Sequence, residues 1–146
     1  MGYNSIPVNQ GRFLGTVRPT TAGQSEDSEI RRFAWNYYNR VPRAMLVVED
    51  ASSWTYTTAA YRSANADDAN RLQFVIGVSE DEVCAEVSVI LDNSTANVNV
   101  AAGIGLDTTT ANNSQVYGVN TFAGQVASRL HVPWNGLPGL GYHFLQ

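Results

Sequence analysis

The sequence predicts an all-β domain: an antiparallel β-sandwich, jelly-roll-like, with about nine strands and at most one short helix. Three observations carry that expectation. Four segments alternate apolar and polar residues with a period of two, turn-rich pieces separate them, and only the alanine-rich Ala59–Ala69 suits a helical turn. Side chains of a strand point to opposite faces in turn, so alternation marks a strand with one buried face. Strands at such spacing, without helical patterns between them, build sandwiches, jelly rolls or barrels.

The elements follow in order. Residues 1–11 are polar, carry Gly and Pro and show no period; they read as a flexible arm ahead of a single domain over 12–146. Arg12–Arg18 is a short strand, and Thr20–Ser28 a polar loop ending in acids. Phe33, Trp35 and Tyr37 then alternate with Ala34, Asn36 and Tyr38. Arg43–Val48 and Ser53–Thr57 are shorter strand candidates. Leu72, Phe74, Ile76 and Val78 share one face of the second long segment, and Val83, Ala85, Val87, Val89 and Leu91 one face of the third. The fourth carries Val98, Val100, Ala102, Ile104 and Leu106, with Gly103 and Gly105 predicting a bulge or a close backbone approach. Gln125–Val132 and Leu140–Leu145 complete the set, between turns at Asp92–Ser94, Asp107–Ser114 and Pro133–Gly139. Trp35, Leu72, Phe74, Ile76, Val87, Val89, Val100 and Ile104 are expected to share one core. The last strand has no polar tail after it, which predicts either a chain cut short after Gln146 or an edge closed by another chain.

With 146 residues the chain is long enough to bury a real core, and 44% of it is hydrophobic against only 15% charged. All nine basic residues are arginines, and eight of them precede Leu72. From there on, Arg129 faces six acids. Arginine is the cation that interfaces favour, so the asymmetry suits subunits that pack basic surface on acidic surface. It excludes a nucleic-acid binder, since the net charge is −4 and no basic run exists. No stretch approaches the ~20 apolar residues of a membrane span, and Met1–Gly15 lacks the charged start and apolar run of a secretion signal. Cys84, the only cysteine, lies in a strand pattern between Glu82 and Glu86 and reads as a small buried hydrophobe.

The search for chemistry finds no enzyme. His131 and His143 could meet Asp107 or Glu86, but two histidines without a third ligand do not make a zinc site. Asp67-Asp68 and Glu80-Asp81-Glu82 offer oxygens to calcium without the spacing of a calcium loop. Gly103-Ile104-Gly105 lacks the third glycine and the helix of a dinucleotide fingerprint. The expectation is no catalytic residue, no cofactor and no metal.

Aromatic residues supply the strongest compositional feature: Trp35-Asn36-Tyr37-Tyr38-Asn39-Arg40, with Trp54, Tyr56 and Tyr61 after it. Aromatics on both faces of a strand can fill a core on one side and anchor a subunit or stack on a sugar on the other. Tyr38, Arg40, Trp54, Tyr61 and Arg62 are the candidate contact residues.

The run Arg32-Phe33-Ala34-Trp35-Asn36-Tyr37-Tyr38-Asn39-Arg40-Val41-Pro42-Arg43 resembles a pattern in structural proteins of tailed bacteriophages. Asp50–Ala59, Tyr61–Asn65, Gly77–Asp81 and Gly103–Asp107 share in the resemblance, which covers roughly Gly11 to Gln146. It implies a tail-fibre, tail-appendage or capsid-decoration β-sandwich in a virion, a homo-oligomer that also contacts other virion proteins, and transfers no functional residue. The alternative is a carbohydrate-binding module that recognises a glycan on the host surface. Where the aromatics point separates the two, since a glycan groove needs two or three coplanar rings with polar side chains beside them.

Overall fold

The computed structural model describes residues 11–95, 97–120 and 127–146. Most of the expected Met1–Gly11 arm, and the start of the Gln125–Val132 candidate, lie outside these residues. Eleven strands form: β1 (Gly15–Val17), β2 (Pro19–Thr21), β3 (Gln24–Ser25), β4 (Arg31–Arg32), β5 (Ala34–Asn36), β6 (Leu72–Ile76), β7 (Val83–Leu91), β8 (Val98–Ile104), β9 (Ser114–Asn120), β10 (Ser128–Gly136) and β11 (Gly141–Leu145). Helical structure among the described residues is one 3₁₀ turn, Ala64–Ala66, inside the alanine-rich stretch. The fold is all-β and sandwich-like, as the alternation predicts.

The strands pair in several small sheets and not in two continuous ones. β7 and β10 run antiparallel in an unbroken register from Val83↔Gly136 to Leu91↔Ser128. β8 and β9 pair from Val98↔Asn120 to Ile104↔Ser114. β6 lies between β11, antiparallel, and β4, the one parallel neighbour. Beyond β8 the chain turns onto β11, with a Leu106↔Leu145 bridge and the Asp107 N–H on the Phe144 carbonyl at 3.0 Å. The last strand is therefore covered on both edges by its own chain. This corrects the expectation that another chain closes it.

Phe74, Ile76, Ile104, Val132 and Leu145 form the buried core, with Met45, Leu72, Val87, Leu106, Val116 and Trp134 packed against it. β6 is buried on both faces: Phe74 and Ile76 point to this core, while Val75 (5% exposed) lies opposite Tyr142, whose ring packs edge-on against Phe33. Phe74, Ile76, Ile104, Leu72 and Val87 thus share the core as expected. Trp35 leaves it to pack over Gly77, where even a methyl group would overlap the indole. Val89 and Val100 stay half-buried outside it. Gly105 meets its expectation of a close backbone approach, since a Cβ there would sit 2.6 Å from the Thr108 carbonyl.

Arg43–Val48 and Ser53–Thr57 are not strands; residues 37–71 contain no β-ladder. Alternation suits one face for burial, but a strand exists only where a neighbour takes its backbone groups. Arg43–Val48 finds one such bond, Leu46 N–H to the Glu29 carbonyl at 3.0 Å. The opposite case is β9, which follows the expected Asp107–Ser114 turn, matches no expected strand, and forms because β8 offers a full partner. β10 likewise runs through Pro133, which β-ladders accept only at an edge.

Candidate interaction surface

Two aromatic patches hold the candidate residues. The first grows from the β1–β5 ladder, in which Thr16 pairs with Trp35 and the Tyr37 N–H reaches the Leu14 carbonyl at 3.0 Å. This brings Phe13 to 5.9 Å from the rings of both Trp35 and Tyr37. The Asn36 side chain accepts from the Tyr38 N–H at 2.9 Å and bends the chain, setting Tyr38 5.2 Å from Tyr37. Arg12 lies 4.1 Å over the Tyr38 ring and bonds its hydroxyl. Beneath the rings, Asp81 accepts from the Trp35 indole at 2.7 Å and from Arg40, which fixes the indole plane. Phe13, Tyr37 and Tyr38 are 52%, 43% and 51% exposed, so the patch is an apolar surface rimmed by cations. Its rings are inclined, not coplanar: 31° for Phe13 on Trp35, 59° for Trp35 on Tyr37, 79° for Tyr37 on Tyr38.

The second patch lies where the 37–71 segment crosses β9. The Tyr61 hydroxyl donates to the Gln115 side-chain amide oxygen (Oε1), and burial, reinforced by Tyr117, pushes its phenol above the ordinary range. Arg62 stacks 3.9 Å over Tyr56. Trp54 is half-buried in the same segment. Of the candidates, Tyr38 and Arg40 meet at the first patch and Tyr61 and Arg62 at the second. Phe13, Arg12 and Tyr117 were missed. Phe13 and Arg12 sit in a segment whose alternation is too short to show a face, and Tyr117 in one where the sequence predicts no strand.

The eight arginines of the first half all find partners within their own chain. Arg31 pairs with Glu26 at 2.9 Å, Arg71 with Asp68 at 2.8 Å, Arg40 with Asp81, and both Arg32 and Arg43 with Asp27. Arg18 stacks 3.5 Å over Tyr142. With Arg12 and Arg62 on tyrosines, all eight arginines of the first half have partners in their own chain. Guanidinium stacks on aromatic faces and bonds carboxylates in a plane, so it clips an irregular segment onto a sheet.

Among the described residues, no group of three or more His, Cys, Asp or Glu side chains is placed to hold a metal ion. The histidines form two separate pairs: His143, 8% exposed, with Asp107 at 2.8 Å, and exposed His131 with Glu86 at 3.4 Å. Asp107 also accepts from the Phe144 N–H at 2.9 Å, so its carboxylate serves the β8–β11 junction. In the acidic clusters Asp68 faces Arg71 and Asp81 faces Arg40 and Trp35. Cys84 is exposed, not buried, because β7 turns it to the solvent face. Among the described residues, no helix is long and apolar enough to cross a membrane.

Comparisons with protein-family models, with curated proteins and with solved structures return no match. The surface itself is what remains to argue from.

Proposed function

We propose that this protein is a structural subunit of a bacteriophage particle, a tail-fibre, appendage or capsid-associated protein that acts through its interfaces as a homo-oligomer. One observation carries the assembly reading: the 37–71 segment lies on the surface without strands and still presents Val41, Leu46, Val48 and Tyr56 to solvent. A connection this long, whose regular structure is one 3₁₀ turn, is uncommon in compact domains unless it serves a binding role. Apolar side chains on an irregular, polar-clipped segment suit coverage by a neighbouring subunit. The first aromatic patch adds Phe13, Tyr37 and Tyr38 to the uncovered apolar surface. The phage assignment rests on the sequence resemblance, which runs through both patches.

The inclined rings favour subunit contact over glycan stacking, since a sugar platform needs coplanar rings. Sedimentation of the purified chain at micromolar concentration should give an oligomer, and a compact monomer at every concentration would overturn the reading. Mass spectrometry of gradient-purified phage particles from the same genome should recover the chain in many copies. Its absence there would remove the virion assignment.

A further inference from the structure

We propose that the open edge of β7 pairs with β7 of a second copy, antiparallel, about a twofold axis at Val87. The proposal rests on the assembly reading and names one of its contacts. β7 is nine residues long and has a ladder only on its β10 side; among the described residues, no backbone group of another segment bonds its outer edge. Natural edges are blunted by proline, charged side chains, bulges or inward charges. Val83-Cys84-Ala85-Glu86-Val87-Ser88-Val89-Ile90-Leu91 carries a single charge, Glu86 on its solvent face, has no proline, and keeps an unbroken register with β10.

Burial points the same way. On β10, Leu130 and Val132 are 4% and 0% exposed. Their β7 partners, Val89 and Val87, remain half-buried, as do Val83, Ala85 and Leu91. Core-facing side chains on one strand of a pair are thus unfinished. A strand added at that edge would finish them.

The strand itself selects the occupant and the register. A slip by one residue would set buried-face residues opposite solvent-face ones, so a twofold axis must pass through a residue. Through Glu86 it would oppose two carboxylates, which destabilises a pair. Through Ser88 it would leave Val83 unpaired. Through Val87 all nine residues pair. Val83 meets Leu91, Ala85 meets Val89 and Val87 meets itself on the inner face, while Cys84 meets Ile90 and Glu86 meets Ser88 on the outer face. The product is a four-stranded sheet, β10–β7–β7–β10, continuous across two copies and isologous.

The exposed native Cys84 makes this register testable. Directly opposed residues have Cα atoms about 4.5–5.5 Å apart, within disulfide range. Ile90, 59% exposed, can therefore be replaced by cysteine without touching the core. Under mild diamide oxidation, Ile90→Cys should give a covalent dimer through Cys84 of one copy and the new thiol of the other. Cys84 itself lies roughly 20 Å from its own counterpart in this register, so the wild type should not cross-link. His131→Cys, on the same exposed face one strand inward, is the control.

We expect about tenfold more dimer from Ile90→Cys than from His131→Cys, given the geometric window of a disulfide, with the Cys84-containing cross-linked peptide identified by mass spectrometry. Equal cross-linking in the two variants, or none in either, overturns the pairing. If the wild type nevertheless sediments as an oligomer, assembly stands and only this edge is wrong. A monomeric wild type would reject both.

Discussion

Residues 72–146 and residues 11–71 are of similar length, yet the first bury a core and the second are clipped onto it. Every residue of the buried cluster (Phe74, Ile76, Ile104, Val132 and Leu145) belongs to the later part. In the earlier part only Phe33 and Ser63 are buried. Beside the β4–β6 pairing and the packing of Phe33, Trp35 and Met45 on the later part, the earlier part is held together by polar bonds: Arg32 donates to the Ala44 carbonyl at 2.7 Å, Arg43 to the Ala34 carbonyl at 3.0 Å, and Asn70 to the Glu49 carboxylate. Apolar burial is worth several kcal/mol per large side chain, whereas an exposed ion pair is worth a fraction of one. The difference teaches that one fold can join a self-sufficient sandwich to a surface segment whose own contacts are weak. Such a segment is suited to be completed by a neighbour.

That contrast can be broken most directly at Phe74. Its replacement by alanine should cost ~3–5 kcal/mol in reversible urea unfolding, the range for a fully buried phenylalanine. A loss under about 1 kcal/mol would remove Phe74 from the core and with it the distinction between the two parts.

Gly77→Ala probes the seam between them, where Trp35 of the earlier part lies on the later part's backbone. The added methyl must displace the indole, and overpacking of this kind costs about 1–3 kcal/mol. Trp35 fluorescence should change with it, as the indole leaves Asp81. An unchanged spectrum with full stability would mean that the indole does not rest there.

Asp27→Asn should do less. Asp27 meets Arg32 and Arg43 with side-chain exposures of 21–40%, so solvent screening leaves the loss below ~1 kcal/mol. The difference from wild type should shrink as salt is raised. A salt-independent loss above 2 kcal/mol, on the same scale, would show that the clips act as a core.

The smallest effect is in acid. The Ala51 N–H and then the Asn70 amide hold the Glu49 carboxyl below its ordinary 4.5, and Ser28 and Arg31 do the same for Glu26. A lowered carboxylate contributes stability that is present above 4.5 and is lost as pH falls through its folded-state value. Amide exchange at Ala51 should therefore rise below that point while the β6 amides stay protected. Simultaneous loss of protection in both would make the two parts one cooperative unit.

Much of the later part is legible in the sequence because its alternation is long. Val83–Leu91 forms one strand with the expected inward face, and Val98–Ile104 and Gly141–Leu145 fall inside their expected bounds. The earlier part is misread where alternation is short. Arg43–Val48 has the pattern of a strand and no ladder, and Trp35 has the look of a core residue but packs at the seam. The candidate contacts were read as residue types, and two of them, Tyr38 and Arg40, are exposed. Their division into two patches depended on where Asp81 and Gln115 come to lie.

By itself, then, the sequence determined the class of fold, the faces of its long strands and the aromatic and arginine-rich character of its surface. These follow from periodicity and composition, which act within a few residues. Tertiary structure decided which segments found a partner for their backbone groups, that the last strand lies between β6 and the Leu106 bridge, and that the eight arginines of the first half bind their own chain. Among the described residues it also left β7 with one edge open. Pairing is a relation between residues far apart in the chain, and no local pattern specifies it.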